Sequence, residues 1–216
     1  EYTLIDTAGV RRRTKVNEKI ETYSVIKTLR AMEMAEVVVV VVNAKEGLTD
    51  QDLRLISRVL HFGKAIVLAC NKWDSMSEEE RTWFEEQAER KLQFIDYAKR
   101  LNTSAIRGRG VKPLFDAIDE AYTSVHKSLS TAALTKCLLT AQDSHQPPMV
   151  GNRRIKLRYA HVGRRNPLSI VIHGKQLDKL PGSYKTYLSK YFRQHFELVA
   201  LPVHISLRND ESPYVD

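Results

Sequence analysis

Six consecutive valines, Val37 to Val42, constrain the fold of this chain more than any other feature. Valine is stiff at χ1 and favours extended backbone, and a run apolar on both faces suits a central strand of a parallel sheet covered on both sides. A second apolar run, Ala65-Ile66-Val67-Leu68-Ala69-Cys70, follows a stretch with helical periodicity. There Thr49 is placed to cap a helix in which Leu53, Ile56 and Leu60 share a face, with Gly63 as its stop. Ser77 with Glu78, Glu79 and Glu80 opens another helix, its acids in the first turn where the dipole favours them. Lys112 to Lys127 carries Leu114, Phe115, Ile118 and Val125 on one stripe. Strands alternating with helices predict an α/β fold, with a mostly parallel sheet and helices on both faces.

Open sheets of this kind hold ligands at the carboxyl ends of their strands. Directly after the second apolar run stands Asn71-Lys72-Trp73-Asp74. An ionised carboxylate such as Asp74 accepts from two adjacent donors at once, and guanine offers that pair in N1–H and its N2 amino group. Adenine presents an acceptor at N1, so the same site rejects it through unmet polar groups. Asn71 is placed to bind another edge of the base and to tie loops together, while the Lys72 stem covers the ring. At the start of the chain the strand-like Tyr2-Thr3-Leu4-Ile5 enters Asp6-Thr7-Ala8-Gly9. An Asp there is suited to hold Mg²⁺ through a water, and a glycine brings its N–H close to a terminal phosphate. Thr103-Ser104-Ala105, followed by Gly108 and Gly110, supplies small residues whose backbone approaches the base from the other side. The preceding Ala98-Lys99-Arg100-Leu101-Asn102 is polar for a buried strand.

These loops, in this order, resemble the third, fourth and fifth motifs of the GTPase superfamily. The resemblance implies GTP or GDP with Mg²⁺, contacted by Asp6, Thr7, Ala8, Gly9, Val10, Asn71, Lys72, Trp73, Asp74, Ser104 and Ala105. The first two motifs are absent: the Gly-Lys pairs, Gly63-Lys64 and Gly174-Lys175, are not followed by Ser or Thr. The expectation is therefore a G domain read from its middle, lacking the P-loop, with the missing strand supplied by the same molecule or another. By themselves these residues are expected to be inactive. Val10 stands where many small GTPases place a glutamine that orients water, and no catalytic residue is assigned. Arg11, Arg12, Arg13 and Lys15 occupy the place of a phosphate-sensing switch; they read either as a solvated basic loop or as contacts for an anionic partner.

Charge separates two halves. Residues 1–127 carry 21 Lys and Arg against 20 Asp and Glu, whereas residues 128–216 carry 13 against 6, so nearly all of the net +8 is C-terminal. Such asymmetry suggests a module for a polyanion, most plausibly nucleic acid. With the boundary after 127, Thr131 begins a helix bearing Leu134, Cys137, Leu138 and Ala141, stopped by Pro147-Pro148. Ile155, Leu157 and Tyr159, then Leu168, Ile170 and Ile172, alternate as strands around a turn from Gly163 to Pro167. A helix with Tyr184, Tyr187, Leu188, Tyr191, Phe192 and His195 on a buried face follows, then a strand from Val199 to Leu207. This α-β-β-α-β order resembles the α+β KH-like module of RNA-binding proteins. A Gly-x-x-Gly loop is missing, since none of the nine glycines has another three positions on. Lys156, Arg158, Arg164 and Arg165 are the candidates for phosphate contact.

A GTPase domain joined to a KH-like domain without its glycine loop, with Asp6 to Arg11 and Asn71 to Asp74 as they stand, resembles the Der (EngA) family of bacterial GTPases with two consecutive G domains. That resemblance implies a second G domain from its third motif onward, and a first G domain elsewhere in the protein. It also implies a cytoplasmic role in assembly of the large ribosomal subunit, GTP-dependent association with rRNA, and slow hydrolysis aided by K⁺, which fits Val10. A different class remains: a non-hydrolysing RNA- or protein-binding adaptor with a degenerate G domain. Cys70 and Cys137 read as free buried thiols, the seven histidines show no metal-ligand spacing, and no apolar stretch has membrane length.

Overall fold

A computed structural model describes residues 1–6, 27–150 and 153–210. It divides into two compact units, Glu1–Tyr122 and Thr123–Asp216.

In the first unit residues 27–34 lie in a helix, α1. Then come β1 (Val37–Asn43), α2 (Asp50–His61), β2 (Ala65–Asn71), α3 (Glu78–Lys91), β3 (Lys99–Asn102) and α4 (Val111–His126), whose last four residues are counted with the second unit. The sheet is parallel with order β1-β2-β3, and its register pairs Asn43 with Asn71 and Cys70 with Asn102. Both helix starts form as the sequence predicts. Thr49 accepts from the Asp52 N–H while the Asp52 carboxylate accepts from the Thr49 N–H, and Ser77 and Glu80 form the same reciprocal box. At the end of α2, Gly63 at φ 63° allows the Gly63 and Lys64 N–H groups to donate back to the Leu60 and Val59 carbonyls. The core gathers Val40, Val42, Ile56, Val59, Ile66, Leu68, Phe84 and Ala88.

Among the described residues the sheet centres on β2, with Ala65 to Cys70 all buried, and β1 has one neighbour, its Val41 62% exposed. One expectation is corrected. Residues 2–5 are not a strand, and Leu4 is 90% exposed. Tyr2 instead meets α4, its hydroxyl donating to Asp119 at 2.7 Å and its ring lying edge-on to Phe115 at 5.3 Å. A strand needs a ladder partner, and among the described residues none lies on the outer edge of β1.

The second unit contains α5 (Thr131–Ser144), the short pair β4 (Met149–Val150) and β5 (Arg153–Arg154), β6 (Lys156–Arg165), β7 (Leu168–Lys175), α6 (Gly182–His195) and β8 (His204–Asn209). The sheet order is β6-β7-β8, antiparallel then parallel. This is the α-β-β-α-β arrangement the sequence predicts. Leu134, Cys137, Leu138, Ile170, Ile172, Leu188 and Phe192 are buried as expected. Tyr184 and Tyr187 act as core residues with satisfied tips, their hydroxyls donating to the His145 and Ala141 carbonyls at 2.6 and 2.7 Å. Two boundaries move. The turn shrinks to Asn166-Pro167, and the last strand starts at His204, where its pairing with the start of β7 begins, with Ala200 at φ 56° ahead of it.

Candidate functional site

The carboxyl ends of β1 and β2 lie side by side, so Asn43 and Asn71 stand in register at the rim of a cleft of about 180 Å³ lined by Val41, Val42, Asn43, Asn71 and Lys72. Beyond Asn71 the chain turns sharply. Lys72 takes the left-handed conformation at φ 66°, and its carbonyl accepts from both the N–H and the hydroxyl of Ser75 at 3.1 and 2.9 Å. A lysine in that conformation costs about 1 kcal/mol or more, and such strain is characteristic of ligand loops. Trp73 anchors the turn. Its ring meets Phe84 edge-on at 5.9 Å, and the Arg81 guanidinium lies 5.8 Å from the ring centroid.

The loop after β3 is fastened to this turn by three hydrogen bonds. The Thr103 N–H donates to the Cys70 carbonyl at 2.9 Å, the Trp73 N–H donates to the Thr103 carbonyl at 3.1 Å, and the Ala105 N–H donates to Asn71 Oδ1 at 3.0 Å. The last of these is the loop-tying role expected of Asn71. Ser104 and Arg109 close the second loop as a small bridge, and Gly110 at φ 75° brings its backbone against the Asn102 carbonyl.

Asp74 sits between the two loops with its side chain 15% exposed. A hydrogen bond from Ser104 is the main cause holding its carboxyl below the usual carboxylate range; burial opposes this, and the loop backbone, Arg107 and Arg109 reinforce it. Arg107 Nε lies 3.3 Å from Asp74 Oδ2. The group is thus kept ionised, with two lone-pair-bearing oxygens and no proton to offer.

The structure therefore brings Asn71, Lys72, Trp73, Asp74, Ser104 and Ala105 together. Asp6 is exposed at the end of the first described segment, outside this bonded group. Thr7, Ala8, Gly9, Val10, Arg11, Arg12 and Arg13 lie outside the described residues. Sequence reasoning missed Asn43, which is 8% exposed with Oδ1 unpartnered among the described residues; its position ending an apolar strand, like Asn71, was the available signal.

On the KH-like sheet, β6 carries two register shifts that alternation does not reveal. Ile170 and Ile172 of β7 point into the core, and the opposite face carries Ser169, Val171 and His173. Lys156 and Arg164 pair in register with Lys175 and Ser169, which puts both candidates on that opposite face. Arg158 differs, because Asp210 takes its guanidinium at 2.9 Å. Arg165 is exposed at the strand end, opposite Leu168.

Known proteins share both units. The family described as "Elongation factor Tu GTP binding domain" matches residues 1–124, and that described as "KH-domain-like of EngA bacterial GTPase enzymes, C-terminal" matches residues 128–208. "GTPase Der" of Coxiella burnetii (strain Dugway 5J108-111) is 48% identical over 99% of this chain and 48% of its own length. That of Thioalkalivibrio sulfidiphilus is 50% identical over 99% of this chain and 46% of its own. The chain belongs to the Der (EngA) family of GTPases. It spans about half the length of the curated relatives it matches. Among solved structures, Era in complex with MgGDPNP and a 16S ribosomal RNA segment overlays with a TM-score of 0.44 at 16% identity, covering 92% of this chain and 74% of that one; a likeness so loose carries no argument. No helix among the described residues of this Der-family chain is long and apolar enough to cross a membrane.

Proposed function

We propose that this Der-family chain is the guanine-reading and RNA-contacting part of a GTP-hydrolysing protein acting in assembly of the large ribosomal subunit in the bacterial cytoplasm. The observation that carries the reading is the ionised Asp74, bonded to Ser104 at the mouth of two loops already joined through Asn71 and Ala105. Asp74 accepts from guanine N1–H and N2–H, the Ala105 loop backs the base, and the Lys72 stem covers it. Asp6 is the group that would hold Mg²⁺ through a water, and Thr7, Ala8, Gly9 and Val10 would meet the terminal phosphate. Since valine at position 10 has no polar atom to orient water, hydrolysis depends on other groups, with K⁺ near the phosphates the favoured aid. Residues 128–216 then meet rRNA in a manner set by the nucleotide state, with the first G domain and the P-loop segment completing the protein.

The test is a change of base preference in the protein that carries this chain. Asp74→Asn replaces one acceptor with a donor, so xanthine nucleotides should gain on guanine nucleotides by about 100-fold or more in relative affinity, a swing of paired donors and acceptors. Competition of XDP and GDP against a fluorescent nucleotide measures it. An unchanged preference for guanine would sink the reading and favour an adaptor that does not hydrolyse GTP.

A further inference from the structure

We infer that the helix-free face of the KH-like sheet is a platform for single-stranded RNA, with base stacking on a Tyr-His cluster and phosphates held by a ring of cations. The inference rests on the reading of this module as the RNA-contacting part and specifies where and how that contact is made. Tyr159 and His173 are partners across β6 and β7, their rings stacked at 4.4 Å and 6°. His161 completes the cluster, its ring centroid 5.2 Å from that of His173 and its Nε2 3.1 Å from His173 Nε2. One imidazole must therefore donate to the other, which fixes both rings in place at the surface. Tyr159, midway along the edge strand β6, is 40% exposed, so its ring is accessible on the helix-free face.

Charge surrounds this cluster on one side of the sheet only. Arg208 is the in-register partner of His173 on β8, Arg164 pairs with Ser169, and Lys175 lies two residues beyond His173 on β7. All three cations are exposed, and no carboxylate occupies any strand position of this face. Asp210, the residue after the end of β8, is engaged by Arg158. A surface kept merely soluble mixes both signs of charge, whereas a face of cations around exposed rings matches the alternating phosphate and base of an unpaired strand. A duplex is disfavoured, since a flat sheet offers nothing to enter a groove and paired bases hide their π faces.

The experiment is fluorescence anisotropy of a labelled single-stranded uridine decamer with the full chain. Three phosphate contacts predict a fall in log affinity against log salt with a slope of about −2. Arg164→Glu with Arg208→Glu should weaken binding by more than tenfold and flatten that slope. Tyr159→Ala should weaken it about tenfold with the slope unchanged, while Tyr159→Phe should bind as the parent does. Arg90→Glu, on α3 of the first unit, serves as the charge control, and circular dichroism checks folding of each variant. If the decamer binds and these variants leave it unaffected, the face is wrong while the RNA reading stands. If the decamer does not bind even at low salt, or a duplex of equal length binds better, the platform is overturned.

Discussion

At the scale of single residues, the site depends on a few atoms with no freedom to be otherwise. Gly110 is one: a Cβ there would lie 2.4 Å from the Asn102 carbonyl oxygen, on a backbone at φ 75°. Gly110→Ala is expected to cost about 2 kcal/mol, read as a lower urea midpoint, since side-chain strain and contact both act against it. Asp74 is another. Its carboxyl is held below 3.8 chiefly by Ser104, so its ionised form persists to lower pH than a free aspartate. The sign follows from linkage: a carboxyl depressed in the folded state stabilises above its unfolded value, and that contribution is lost as pH falls through the folded one. NMR titration of the Asp74 side chain should give a midpoint below 3.8, and Ser104→Ala should move it upward; a midpoint at the ordinary value would show that Ser104 does not hold it. The positions of Asn71 and Asp74 were legible in the sequence because they are local, set by a strand end and the turn after it. Asn43 was not, because it stands out only beside Asn71 across a strand pair. The difference between Arg158 and Arg164 was hidden for the same reason: Asp210, which neutralises Arg158, lies far along the chain.

At the scale of elements, capping chemistry marks the starts of α2 and α3 in the sequence. Thr49→Ala should cost about 1 kcal/mol or more, because it removes one partner of Asp52, a carboxylate only 7% exposed. Ser77→Ala, at an exposed helix start, should cost about half as much; equal losses in denaturant titrations would argue against the role of burial. The strands were harder to read. A valine run reports that both faces can be buried, yet says nothing of how many neighbours a strand has; among the described residues β1 has one, β2. The bulges of β6 escape alternation because each adds a residue without changing composition, and each changes which side chains share a face. Ala200 shows a third limit, since nothing about alanine announces a positive φ.

At the scale of the whole molecule, the two units keep separate cores and separate thiols. Burial pushes both Cys70 and Cys137 up to about 12, and each lies in its own unit. Both should resist a thiol reagent at pH 8 in the native state and react fully in denaturant; fast native labelling of either would show that its core opens. The second unit should also lose stability toward mild acid. Burial, then repulsion from His161, lowers His173 from its usual 6.5, so the unfolded chain binds the proton more readily and stability falls as pH drops below that value. Asp210 opposes this shift and Arg208 adds to it. His173→Gln should therefore lose less thermal stability than the parent between pH 7.5 and pH 5.5, measured on second-unit probes such as the Tyr184 and Tyr187 signals. The clasp from Ala105 to Asn71 carries a last consequence at this scale. Because protein atoms alone hold the two loops together, selectivity should already be present toward a bare nucleoside, with guanosine preferred to adenosine before any phosphate contributes.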